Sequence, residues 1–272
     1  MAEQTQSVRC ERLPIGDHGA LLGLITFDRP EQMNPIDHEA IGEMRAAIDD
    51  LCRDAAVRVL AITGRGKAFS AGGDMKKYMA LQRDPVAFPV FLDDWHTTVA
   101  AMTAGPKPII ALINGITVAG GLETLLACDF AIAAESARIG DAHLNFGQMG
   151  GGGVLAMLPH AIGIARAREL IFTGRLLSAA EALDWGLVNR LVPDDQLLSA
   201  GIAVATEIAK KSPLALANAK GVINDGFWHG TGLHESLRLE REVTLRYCLT
   251  SEDAPEGLVA FADKRRPRFV GR

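Results

Sequence analysis

The chain has 272 residues, a formal net charge of −5, 48% hydrophobic residues and 22% charged residues. That balance excludes a disordered chain and gives no electrostatic reason to expect nucleic acid or an anionic membrane as partner. The length suffices for one large buried core, or one core plus an appendage.

The N-terminal stretch MAEQTQSVRCERL lacks an apolar run, so no secretory leader is expected. Apolar runs such as PIIALI fall far short of a membrane span. Cys10, Cys52, Cys128 and Cys248 show neither a CxxC pair nor zinc spacing, and no metal site is expected. They read as reduced, partly buried thiols of a cytoplasmic protein.

In chain order, ALLGLITF at 20–27 and VRVLAIT at 57–63 predict strands. Between them Ile41, Met44, Ile48, Leu51 and Cys52 recur at helical spacing behind Asp37, a candidate N-cap. KPIIALIN at 107–114 and DFAIAA at 129–134 predict buried strands. Ser178 and Glu181 stand at capping-box spacing, so a short helix leads into the strand LVNRLV. Beyond Asp194 the pattern is helical throughout, at 195–211, 213–225, 233–250 and 254–264. The expected organisation is an α/β core at 1–195 with mostly parallel strands, then a helical segment at 196–272. Such a segment either covers the core or docks on a neighbouring subunit.

AITGRGKAFSAGGDMKK at 61–77 invites comparison with a phosphate loop. A P-loop requires G-x-x-x-x-G-K-[ST], but Lys67 is followed by Ala68 and only Arg65 separates Gly64 from Gly66. A nucleoside triphosphatase loop is therefore not expected here. The run Gly150–Gly153 does not fit G-x-G-x-x-G after a first strand either. Gly72-Gly73 instead lets a backbone turn approach a ligand closely. NGITVAGGLETLLACD repeats the logic: a strand ends at Asn114, a glycine-rich loop follows, and a helix starts near Gly120. The Gly120 N–H is an unpaired donor in a first helical turn. Donors converging from two such loops would form an oxyanion hole for a carbonyl oxygen.

FSAGGD, NGITVAGGLE and FTGRLLSAAEALDWGLVNRLVP, with DRPEQMNPI before them and FADKRRPRFVGR after, resemble the crotonase superfamily of enoyl-CoA hydratases and isomerases. The resemblance runs in order along essentially the whole chain. It implies a crotonase-like spiral of ββα units, followed by a C-terminal helical trimerisation region that assembles a homotrimer or a dimer of trimers. It implies acyl-CoA thioester substrates, with coenzyme A entering as part of the substrate and no prosthetic group. Matched position by position, the enolate-stabilising amides are Gly73 and Gly120. Coenzyme A contacts would fall at Gln32, Met33, Ala71, Asp74 and Met75, with Lys264 of the last helix near its phosphates.

Glu123, three residues after Gly120, shares its helical face and could reach the same pocket as an acid or base. It also matches a glutamate of the hydratases. Their second glutamate is replaced here by His143, and the usual Pro-Gly beyond it by Gly150-Gly151, where a helix is expected to begin. Three roles for His143 stay open: a second proton-transfer partner, a dyad with Asp141 for hydrolysis or carbon–carbon cleavage, or a structural residue. Hydration, double-bond migration, hydrolysis and decarboxylation all remain compatible, and a relative that binds without catalysis is the rival of another class. Phe88, Phe91 and Trp95 form an aromatic helix face that either packs internally or lines the acyl pocket. His18, in a hairpin turn, His38 and His96 on helices, His160 at a helix start, and His229 and His234 around a loop read as structural.

Overall fold

The computed structural model describes residues 6–16, 19–228 and 230–272, so the turn expected at His18 and the loop position His229 lie outside the described residues. β1 (Val8–Pro14) and β2 (Leu21–Phe27) form an antiparallel pair, and α1 (His38–Arg53) carries the chain to β3 (Val57–Gly64), parallel to β2. From β3 to β8 successive strands alternate between two sheets. β4 (Ala68–Ser70) enters the second sheet, α2 (Met75–Leu81) and α3 (Ala87–Ala104) follow, and β5 (Ile109–Ile113) returns to the first. β6 (Ile116–Val118), α4 (Gly120–Ala127), β7 (Phe130–Ala134) and β8 (Arg138–Gly140) repeat the step. α5 (Val154–Ile162) and α6 (Ile164–Thr173) precede β9 (Leu177–Ser178), and α7 (Ala179–Asp184) precedes β10 (Arg190–Val192).

The larger sheet has the order β1-β2-β3-β5-β7-β10 and the smaller one β4-β6-β8-β9. Among the described residues only the β1–β2 and β8–β9 ladders are antiparallel. A chain that climbs by placing one strand in each sheet before turning through a helix is the ββα spiral that the resemblance implies.

The central strands β2, β3, β5 and β7 are buried on both faces, which explains why they read as unbroken apolar runs. In β5, Ile109, Ala111 and Ile113 face one core, while Ile110 and Leu112 face the other. α8 (Leu197–Ala209) covers that second face. It approaches closely at Gly201, where a Cβ would lie 2.8 Å from Leu112 Cδ1. The expected boundary at 195 therefore falls just ahead of a helix that belongs to the core layers. α9 (Pro213–Trp228) is tied down by Lys220, whose buried Nζ donates to the carbonyls of Met102 and Lys107 and meets Asp129 at 2.9 Å. α10 (Leu233–Thr250) buries no residue, and α11 (Asp253–Ala262) leaves Phe261 85% exposed.

Asp37 caps α1 by accepting from the Ala40 N–H at 2.9 Å, and Ser178 and Glu181 form the complete capping box. His38 and His96 lie on helices as expected. His160 does not start a helix: it lies within α5, because Val154, Met157, Leu158 and Ile162 make one apolar face that carries the helix past Pro159. His234 is the second residue of α10, behind the N-cap Gly232. Cys248 is exposed, unlike the other three cysteines, and all four are free thiols. No described helix is long and apolar enough to cross a membrane.

Candidate active site

β4, β6 and β8 lie side by side and parallel, so the segments leaving their C-terminal ends meet above the smaller sheet. β4 delivers Gly72-Gly73, β6 delivers Gly120 and α4, and β8 delivers Asp141 to His143. The three chemical elements of the site are thus gathered by strand neighbourhood, across more than 70 residues of sequence.

The turns after β4 and β6 touch. A Cβ on Gly72 would lie 2.7 Å from the Ala119 Cβ and 3.6 Å from the Gly120 nitrogen, so only a glycine with φ +93° allows this approach. Ala119 itself has φ 51° and ψ −118°, a region that side chains avoid, and this conformation turns β6 directly into α4. Ile36 N–H donates to the Gly72 carbonyl at 2.8 Å in a parallel bridge, which leaves the Gly73 N–H on the opposite side. Among the described residues neither the Gly73 nor the Gly120 amide has a protein acceptor, and both residues line one cavity of about 180 Å³.

Glu123 lines the same cavity and is only 4% exposed. Its Oε1 accepts from the Gly152 N–H at 2.7 Å and, more weakly, from Val154 N–H at 3.5 Å. Its Oε2 accepts from the indole N–H of Trp95 at 3.2 Å. Burial pushes its carboxyl pKa above the ordinary glutamate value, and the nearby His143 and these three donors offset only part of that shift.

His143 Nδ1 lies 2.7 Å from Asp141 Oδ1, and Asp141 is 1% exposed. Burial lowers the imidazole pKa, but the Asp141 hydrogen bond and the charges of Glu123 and Asp141 outweigh it, so the net shift is upward. With Nδ1 engaged, Nε2 is left for the cavity. A Cβ on Gly150 would fall 3.3 Å from His143 Nδ1 and 3.4 Å from Glu123 Oε1, which places both groups next to that glycine.

The glycine run thus serves the carboxylate. At Gly152 a Cβ would meet the Trp95 indole nitrogen at 1.3 Å and Glu123 Oε2 at 2.4 Å. The helix expected at Gly151 starts three residues later, at Val154, with Gly153 at φ 116° as its N-cap. The loop can then donate the Gly152 amide sideways, whereas a helix from Gly151 would direct it along its axis. Sequence reasoning missed both this amide and the indole; four consecutive glycines outside any phosphate signature were the available signal.

Ala71, Met75, Tyr78, Phe91 and Trp95 also line the cavity, whereas Phe88 packs beside it against Tyr78 and Phe91. Gln32 and Asp74 line a polar cavity of about 520 Å³ together with Arg29, Arg65 and Lys77. Met33, at φ 63°, joins the two regions by accepting the Ala71 N–H at 2.9 Å. Lys264 follows the end of α11 at φ 55° instead of lying within the helix, and is not among the residues lining either cavity.

Residues 17–272 match the family described as Enoyl-CoA hydratase/isomerase. A Mycobacterium bovis protein named as a probable enoyl-CoA hydratase is 37% identical over 251 residues, spanning 92% of this chain and 95% of its own. A Rhizobium meliloti protein similarly named is 36% identical over 251 residues, with the same coverage of 92% and 95%. The crystal structure of an enoyl-CoA hydratase from Bacillus anthracis has a TM-score of 0.90 at 34% identity, covering 98% of this chain and 100% of that one.

Proposed function

The chain belongs to the enoyl-CoA hydratase/isomerase family, and from that premise we propose that it adds water to the double bond of a 2-enoyl-CoA thioester. The observation that carries this is one cavity lined by Gly73 and Gly120, whose amides have no acceptor among the described residues, together with buried Glu123 and with His143. The thioester oxygen accepts both N–H groups, which stabilise it as it becomes an enolate oxygen. Glu123 takes a proton from water as the water oxygen attacks C3, and the His143 imidazolium protonates C2 from Nε2. The proton on Glu123 then returns to His143, and both residues are ready for the next turnover. The raised pKa of each group suits these roles.

The polar and apolar cavities flank the same segment, Ala71 to Met75, which suits a ligand with a charged nucleotide end and an apolar acyl end. In this reading Gln32, Met33, Ala71, Asp74 and Met75 run along the coenzyme A moiety. Coenzyme A enters with the substrate, and neither a prosthetic group nor a metal takes part. Lys264 is assigned to the coenzyme A phosphates in this reading, although it lines neither cavity of the single chain. The exposed apolar side chains of α9 to α11, among them Ile223, Leu249 and Phe261, suit burial in a homotrimer or a dimer of trimers. The cellular location is the cytoplasm.

A second reading has its own observation, the 2.7 Å contact between Asp141 and His143. With a neutral imidazole this dyad would polarise water for thioester hydrolysis or carbon–carbon cleavage. Incubation with 2-enoyl-, 3-enoyl- and β-ketoacyl-CoA esters separates the two. Hydration consumes the conjugated enoyl absorbance without releasing thiol. Release of free coenzyme A thiol would favour the dyad, and absence of both binding and turnover would refute both readings.

A further inference from the structure

Glu123 needs more than burial to act as a base, because a carboxylate can rotate and has two oxygens. The amides of the glycine loop hold one of them. On the other side lies Trp95 of α3, 3% exposed, whose indole N–H reaches Oε2 at 3.2 Å. One residue further along α3, His96 Nε2 meets the Gly151 carbonyl at 2.6 Å, so the helix is fastened to the same loop. The lack of a side chain at Gly152 is what lets the amide and the indole approach the carboxylate together.

We infer that Trp95 is a positioning residue for Glu123, fixing the plane of its carboxylate and making Oε2 the oxygen that receives the proton. Oε1 accepts from two amides, closely from Gly152 at 2.7 Å and more weakly from Val154 at 3.5 Å. Among the described residues Oε2 accepts from the indole alone, which leaves it acceptor capacity for a proton. The indole can only donate, so it orients the base without carrying the proton away. The inference deepens the proposed reaction and rests on Glu123 as its base. The titratable groups facing Glu123 are His143, backed by Asp141, and Tyr78 across the cavity, whose phenol is raised first by burial and then by the Glu123 charge.

Two measurements test it. Trp95→Phe keeps an aromatic ring but removes the donor: kcat should fall at least tenfold and KM should stay within about twofold. The acid limb of the rate profile should move to higher pH, since the ionised form loses a hydrogen bond. A residue that merely packs would lower stability and leave that limb in place, and an unmoved limb or an unchanged kcat overturns the inference. Should the variant not fold, the Trp95 indole N–H resonance of the wild-type protein, resolved from those of Trp185 and Trp228, gives the answer. It should titrate with Glu123 and stay flat with pH in Glu123→Gln; a resonance insensitive to Glu123 overturns the inference. Failure of the reaction itself would show as no turnover on any thioester while the indole still titrates, so the two failures are distinguishable.

Discussion

Asp141 Oδ1 and His143 Nδ1 lie 2.7 Å apart at the end of β8, with the aspartate 1% exposed. A buried carboxylate on one imidazole nitrogen fixes the tautomer and favours the charged ring. Acting as an acid, His143 must be protonated, so activity is lost as pH rises through its elevated pKa. Asp141→Asn removes the stabilising charge and should move this basic limb to lower pH. His143→Ala should cut hydration by about 10² to 10⁴, the usual worth of a general acid. A His143→Ala enzyme that hydrates at the wild-type rate would leave Glu123 as the only proton carrier.

Glu123→Gln keeps the shape and the acceptor on one side but cannot take a proton. Turnover on the best thioester should fall below a tenth of wild type, with the Kd for the same ester within a few-fold. Single-turnover kinetics and calorimetric binding separate these quantities. The raised pKa also fixes a sign: activity falls as pH drops through a midpoint above the ordinary glutamate value of 4.5.

Gly72→Ala forces a Cβ to 2.7 Å from that of Ala119 and places a side chain at φ 93°. Relief must splay the two turns that present Gly73 and Gly120. A loss of about 10² or more in kcat is expected, comparable to removing one oxyanion donor, together with about 1–3 kcal/mol of stability. Gly42→Ala in α1 is the control, because among the described residues nothing lies within 4 Å of its Cβ position. It should raise stability by roughly 0.5–1 kcal/mol through helix propensity and leave the rate unchanged.

Asp37 joins α1, α2 and the loop before them, meeting Arg29 at 2.9 Å and Lys77 at 2.6 Å while capping Ala40. Burial raises its pKa, but these partners prevail and hold the carboxyl at about 2, below its ordinary 3.8. Its stabilisation is therefore present above pH 3.8 and lost as pH falls towards 2. A shift of that size corresponds to roughly 2 kcal/mol. Asp37→Asn preserves the cap and removes the charge, so urea unfolding should show that deficit at pH 6 and a smaller one at pH 3. A deficit independent of pH would assign it to packing instead.

The amino-acid order by itself determined the long elements. Helical periodicity behind Asp37, the unbroken apolar runs of β5 and β7, and the capping box at Ser178 are local signals, and each element formed where its signal lies. Motifs spread along the chain also singled out Gly73, Gly120 and Glu123, and the fold brings all three to one cavity. Strands β4, β6 and β8 escaped notice: three residues cannot display a period of two, and their pairing partners are distant in sequence. Those three strands set the site, since their lateral order brings 73, 120 and 143 together. Only the folded chain could decide that the glycine run at 150–153 serves a carboxylate, or that an indole on α3 completes its hydrogen bonding. The physical reason is range: periodicity and capping act within one or two turns of chain, whereas steric room for an amide beside an indole is fixed by packing between elements far apart in sequence.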